Sequence, residues 1–235
     1  MKVLVRTISI ETIDFCNRKC DWCPNKDRVQ KKSNTINDEL FSKILQDIKD
    51  IDYQGEIHPY FRNEPLCDPK IHERIKEIRK VLPDNRIRLN TNGDFLNTVE
   101  DVQKLFDAGV SSIHIMNYDI KNIDGSFRDS LFGSKVTHWF GETLFNIFDN
   151  RGGSLDLDCK DKRELCPFIG YKVMILYNGK VVTCCNDFFE TNVFGDLNTQ
   201  PLYEILISPK YERFRQLHAV GKGKTLPLCK ECNRI

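Results

Sequence analysis

A chain of 235 residues, 40% hydrophobic and with 35 basic against 34 acidic side chains, fits one large domain or a medium domain with a small appendage. The near-cancelling charge argues against a nucleic-acid or membrane surface, and no stretch is apolar enough to span a bilayer or serve as a secretion signal. A cytoplasmic location is the expectation, and there ten cysteines point to metal binding more than to a disulfide framework.

Segment 3–15 alternates charged and apolar residues and reads as a strand, after which Cys16, Cys20 and Cys23 fall in the loop C-N-R-K-C-D-W-C. Asn37 or Asp38 caps a helix reaching about Asp50, with Leu40, Phe41, Ile44, Leu45 and Ile48 as its apolar face. Residues 55–61 read as a second strand, and Pro69, at the favoured first helical position, opens a helix to Leu82. A third strand covers 86–91, a helix closed by Gly109 covers 98–109, and a fourth strand covers 111–117. The pattern loosens after about residue 120, with a further strand expected at 145–153 running into a Gly-rich turn. From about residue 156 the character changes. Residues 171–177, Asn178-Gly179 and residues 180–185 read as a β-hairpin, and a helical stretch from Pro201 to about Val220, interrupted at Ser208-Pro209, leads into L-C-K-E-C.

Repeated βα units with too few strands to close an eight-stranded ring predict an α/β fold: an open, partial TIM-type barrel over 1–155. A small β-hairpin plus helix domain over 156–235 follows it, held by a cluster on Cys166, Cys184, Cys229 and Cys232. Chemistry belongs at the C-terminal strand ends, where the Cys16 loop, Asn63-Glu64-Pro65, Thr91-Asn92-Gly93 and Asn117 all fall. Three thiolates on a cubic iron–sulfur cluster leave one iron open, whereas four leave none. Scattered buried thiols account for Cys67 and Cys159 but poorly for two short-spaced motifs.

The CxxxCxxC loop after a first strand, Trp22 before its last cysteine, and N-E-P-L roughly forty residues later resemble the radical S-adenosylmethionine enzymes. The resemblance implies a 4Fe–4S cluster on Cys16, Cys20 and Cys23, with S-adenosylmethionine on the open iron. The family's G-G-E-P segment binds the methionine amino group. This chain reads R-N-E-P over 62–65, keeping Glu64 and losing both glycines. Trp22, Asn92 and Asn117 join Glu64 as cofactor-binding candidates. The C-terminal cysteines resemble the SPASM and twitch auxiliary-cluster extensions, and imply a second 4Fe–4S cluster on Cys166, Cys184, Cys229 and Cys232. Only L-C-K-E-C precedes Ile235, so one auxiliary cluster, the twitch form, is expected. Cys185 competes with Cys184 for that ligand position, and the hairpin places Cys185 on the opposite strand face.

N-G-D-F-L at 92–96 and N-R-G-G-x-L-D at 150–156 extend the likeness to the aminocyclitol dehydrogenases of the superfamily. It implies a 5′-deoxyadenosyl radical that abstracts hydrogen from a small hydroxylated substrate, a two-electron oxidation, and the auxiliary cluster as electron acceptor. An external donor such as flavodoxin or ferredoxin is implied as well. Arg151 matches a substrate-contacting arginine, and Tyr60 and Arg62 share the parity of Glu64 and so point into the barrel. His114 lines the cavity or is a hydrogen-bonded core histidine; His58, His72, His138 and His218 carry no pattern. One alternative is modification of a peptide by oxidation, crosslinking or epimerisation, with Cys67, Cys159 or Cys185 as hydrogen donor. Enzymes of that kind usually carry a leader-capturing domain, for which the early Cys16 leaves no room. Another is a non-catalytic zinc module, in which Glu64 has no role.

Overall fold

The computed structural model describes residues 5–28, 33–118, 132–140, 150–156, 166 and 171–233. Strand β1 (Thr7–Ile10) pairs in parallel with β2 (Glu56–His58), and a parallel bridge from Ile57 to Ile87 carries the wall on to β3 (Arg88–Thr91). There β3, β4 (Ser112–Asn117) and β5 (Val136–Phe140) run parallel. Helices α1 (Asp38–Asp50), α2 (Ile71–Val81) and α3 (Val99–Ala108) bury their apolar stripes in the same core as Ile8, Ile57, Leu89 and Ile113.

Local chemistry explains the helix ends. The Asn37 side chain accepts the Leu40 N–H, and Thr98 and Asp101 form a reciprocal capping box. Gly109 closes α3 in the left-handed region at φ 116°. Pro69 does not open α2 as the sequence suggests. The Asp68 carboxylate accepts the Lys70 N–H at 3.0 Å and the Arg74 Nε–H at 2.9 Å, so 68–70 form a turn and the helix starts at Ile71. The fifth strand appears at 136–140, in the stretch where the sequence pattern loosens; positions 145–149 of the expected strand lie outside the described residues.

The hairpin forms as expected from β6 (Lys172–Ile175) and β7 (Lys180–Val182), turning at Asn178 and at Gly179 with φ 89°. It does not stand apart from the barrel, however. Strand β6 pairs in parallel with β1 from Thr7↔Lys172 to Ile10↔Ile175, giving the order β2-β1-β6-β7-β8, with β8 at Gly195–Asp196. All four residues of β1 are buried, so an open edge there would leave backbone groups unpaired away from water, and β6 supplies the partners. Helices α4 (Leu202–Leu206) and α5 (Pro209–Ala219) break where expected, with Ser208 capping the second through the Tyr211 N–H. Their apolar residues join the barrel core, and α6 (Pro227–Lys230) carries Cys229. Among the described residues, no helix is long and apolar enough to cross a membrane.

Ile8 has no exposed surface and lies between β2 and β6. Truncation in Ile8→Ala is expected to cost about 2–5 kcal/mol, read from the shift in urea midpoint. A loss below about 1 kcal/mol would mean that β1 is not the central strand.

Candidate active site

The strand ends that sequence reasoning singled out meet around one cavity of about 320 Å³. Cys16, Cys20 and Cys23 line one side of it, with Trp22 between them. The loop is held by its own backbone: Cys23 N–H donates to Cys20 O at 3.0 Å, and Lys26 N–H to Cys23 O at 3.1 Å across a short 3-10 turn begun by Pro24. Asp94 of the N-G-D-F-L run latches the loop to β3. Its carboxylate accepts Asn17 Nδ2–H at 2.7 Å and pairs with the Arg18 guanidinium, which holds the Asp94 carboxyl below the usual range. The C-N-R and N-G-D motifs are therefore two halves of one contact.

Glu64 is buried among three donors: Thr91 Oγ1–H at 2.7 Å, Asn92 N–H at 2.7 Å and Leu66 N–H at 3.1 Å. Burial nevertheless pushes its carboxyl up to about 7, the three donors pulling the other way. Such a carboxylate gains from an approaching cation. Asn92 also donates from Nδ2 to Asn17 Oδ1 at 2.8 Å, which ties it to the cysteine loop. Trp22 packs on Tyr118, ring centroids 5.4 Å apart, and Tyr118 is a cavity residue that the sequence did not suggest. Asn117 ends β4 opposite Phe140; its side chain lies outside what is described.

Tyr60, Arg62 and Glu64 line the cavity as their shared parity suggests, and because β2 ends at His58, Phe61 and Asn63 line it too. Tyr60 presents its ring to the cavity and bonds His58 through its hydroxyl at 3.1 Å. Arg62, expected to reach a substrate, directs its guanidinium elsewhere. Nε–H and Nη2–H donate to the buried Glu11 carboxylate at 2.9 and 2.8 Å, and Nη1–H donates to Phe188 O at 2.7 Å. Its side chain ties β1 to the segment after Cys184. Arg151 does line the cavity, at φ 50°, and donates from Nη1 to Asn186 Oδ1 at 3.4 Å. The glycines after it are needed for contact: a Cβ on Gly152 would meet Leu228, and one on Gly153 would meet Glu231. Asn150 completes this seam by accepting the Asn233 N–H and donating to Glu231 O.

The second cysteine group gathers behind that wall. Cys184 and Cys229 each lie within electrostatic reach of Cys166, and Cys229 within that of Cys232. Burial and those neighbours push the Cys229 thiol up to about 12. The hydrogen bond with Cys185, then burial, raises Cys184. Cys185 itself lines the cavity. Among the described residues, no three His, Cys, Asp or Glu side chains converge on a single ion. The donor chemistry fits iron–sulfur clusters. Buried thiols that resist ionisation as free groups are deprotonated by metal, and backbone N–H groups already point at the sulfurs of Cys16, Cys23 and Cys184.

Residues 10–122 match the family model of the radical SAM superfamily, and residues 166–233 that of SPASM, an iron–sulfur cluster-binding domain. The chain thus carries a radical SAM domain followed by a SPASM domain. It is similar, at 27% identity over 241 residues, to the S-adenosyl-L-methionine-dependent 2-deoxy-scyllo-inosamine dehydrogenase of Niallia circulans, across 100% of this chain and 95% of that one. The crystal structure of BtrN in complex with AdoMet and 2-DOIA matches with a TM-score of 0.87 at 27% identity, covering 100% of this chain and 95% of that one. The structure of anSMEcpe with bound AdoMet, TM-score 0.54 at 14% identity over 97% of this chain and 85% of that one, shares the fold. This radical SAM protein takes S-adenosylmethionine and 4Fe–4S chemistry as its cofactors, and the open partial barrel is the fold of its superfamily.

The Arg62–Glu11 pair is almost wholly out of solvent, with side chains 1% and 0% exposed. Substitution Arg62→Met leaves the Glu11 charge buried and is expected to cost about 3–5 kcal/mol in denaturant unfolding. A change within about 0.5 kcal/mol would show that the pair does not join these segments.

Proposed function

We propose that this radical SAM protein is a dehydrogenase, oxidising a carbinol carbon of a small, hydroxyl-rich, amine-bearing molecule to a carbonyl. The observation that carries the reading is that one cavity is lined both by Cys16, Cys20 and Cys23 and by Cys185 and Phe188, which follow Cys184 in the chain. The relative from Niallia circulans acts, by its name, on 2-deoxy-scyllo-inosamine, and the full-length likeness supports the aminocyclitol class for this chain.

In this reading Cys16, Cys20 and Cys23 hold the first cluster, and Cys166, Cys184, Cys229 and Cys232 the auxiliary one. Glu64 receives the methionine ammonium of S-adenosylmethionine. Trp22 and Asn92 shape the rest of that pocket, and Asn117, at the end of β4, is a further candidate by its place in the chain. Arg151, placed in the cavity by the R-G-G turn, orients a substrate hydroxyl and offsets charge that develops on its oxygen. The groups so held supply hydrogen-atom abstraction from carbon and an acceptor for the second electron. Electrons enter from a flavodoxin or ferredoxin in the cytoplasm. Residues 1–155 form the radical unit and 156–235 the auxiliary unit, joined through β1 and β6.

Under anaerobic conditions with reductant and an aminocyclitol, 5′-deoxyadenosine and the carbonyl product are expected in equal amounts. Formation of 5′-deoxyadenosine with no carbonyl product from any aminocyclitol would overturn the reading. Glu64 predicts a pH effect on cofactor binding. The ionised carboxylate pairs with the ammonium, and its population rises as pH climbs through about 7. S-adenosylmethionine should bind about tenfold tighter at about pH 8 than at about pH 6, by equilibrium dialysis, and Glu64→Gln should flatten the dependence. A flat wild-type profile would remove Glu64 from the cofactor site.

A further inference from the structure

Removing a hydrogen atom and an electron from a carbinol leaves one proton to account for. On the dehydrogenase reading, the chain must take that proton from the substrate hydroxyl. The segment E-I-H-P-Y puts Glu56, His58 and Tyr60 at alternate positions along β2 and its extension, while Ile57 points into the core with no exposure. The three polar side chains form one line. Tyr60 Oη lies 3.1 Å from His58 Nδ1, the two rings are stacked 5.2 Å apart at 10°, and His58 Nε2 lies 3.2 Å from Glu56 Oε2.

The direction of each hydrogen bond follows from the end of the line. Glu56 also pairs with Arg88 at 2.8 Å, and the hydrogen bond from His58, then Arg88, holds its carboxyl below the ordinary range. A carboxylate only accepts, so Nε2 of His58 carries the hydrogen and Nδ1 is left as an acceptor. The Tyr60 hydroxyl must then donate to Nδ1, and its oxygen keeps a lone pair able to accept a further hydrogen bond. Tyr60 and His58 line the cavity, whereas Glu56 does not and its side chain is a quarter exposed. The line therefore runs from substrate space to solvent. Other charged or titratable groups face it from each neighbouring strand: Arg88 from β3, His114 from β4 and Lys172 from β6 act on His58, and Cys185 acts on Tyr60. Burial and the cations hold His58 neutral at rest, and burial keeps the Tyr60 phenol protonated.

We propose that Tyr60, His58 and Glu56 form the proton exit of the reaction cavity. Tyr60 Oη accepts the proton of the substrate hydroxyl as its own proton passes to His58 Nδ1, and the imidazolium is held by the Glu56 carboxylate until it releases a proton to solvent. The balance closes. The substrate C–H bond gives up a hydrogen atom, the O–H bond gives its proton to the relay, one electron goes to the auxiliary 4Fe–4S acceptor, and a C=O bond forms. Tyr60 touches substrate and is the catalytic residue; His58 and Glu56 act through it.

Two measurements on the holoprotein test the relay. In the first, carbonyl formation is compared between wild type, Tyr60→Phe and His58→Ala, with iron content and S-adenosylmethionine affinity as controls. Tyr60→Phe is expected to lose at least about 100-fold in carbonyl formation with both controls unchanged, and His58→Ala to recover rate when imidazole is added. A Tyr60→Phe enzyme within about twofold of wild type, or no recovery with imidazole, would overturn the proposal. The second is 15N NMR of the histidine side chains. His58 is expected as the Nε2–H tautomer; an Nδ1–H tautomer makes donation from Tyr60 impossible and overturns the relay whatever the substrate. A wild-type protein that forms no carbonyl product but shows the Nε2–H tautomer would instead count against the dehydrogenase reading.

Discussion

The buried ion pair between Glu11 and Arg62 is the contact on which the rest of the site depends. Glu11 follows β1 directly and leads into the Cys16 loop, Arg62 leads into Glu64, and Arg62 also holds Phe188 O in the segment after Cys184. One guanidinium thus joins three segments that bring, respectively, the first cysteine group, the N-E-P carboxylate and the second cysteine group. Taking both charges out of water is costly, and the bidentate geometry with further acceptors offsets that cost. The benefit is a fixed relative position for the three segments that carry the site.

Around that tie, the cavity separates three flows. On the proposed reading, hydrogen-atom chemistry belongs to the side of Cys16, Cys20 and Cys23, electron removal to the side of Cys184, and proton removal to the line through Tyr60 and His58. Separation matters because the hydroxyl proton and the surplus electron of the substrate radical need different carriers. Pairing of β6 with β1 makes it possible, since it puts the auxiliary hairpin in the barrel wall itself and not on a tether.

What could be read from the sequence was local. The Asn37 cap, the Gly109 helix stop, the Asn178-Gly179 turn and the break at Ser208-Pro209 all depend on residues within a few positions, and the structure has them as read. Partner choice across long separations was not legible. No local signal says that β6 joins β1 or that Asp94 meets Arg18, and β5 lies in a stretch with little periodicity. Arg62 shows the limit of strand parity, which put it at the cavity but did not give Glu11 as the partner of its guanidinium. His58 shows a signal overlooked: polar residues at 56, 58 and 60 share one face, and that alternation was available in the sequence. The R-G-G turn identified Arg151, but the reason for its glycines, close contact with Leu228 and Glu231, needed the fold.

The most direct test of the account is the redox state of the auxiliary cluster during turnover, followed by freeze-quench EPR of the holoprotein with S-adenosylmethionine, reductant and an aminocyclitol. The account predicts a substrate-dependent reduced signal from the cluster on Cys166, Cys184, Cys229 and Cys232 that rises with carbonyl formation. An auxiliary cluster that keeps one redox level while carbonyl product accumulates would contradict it.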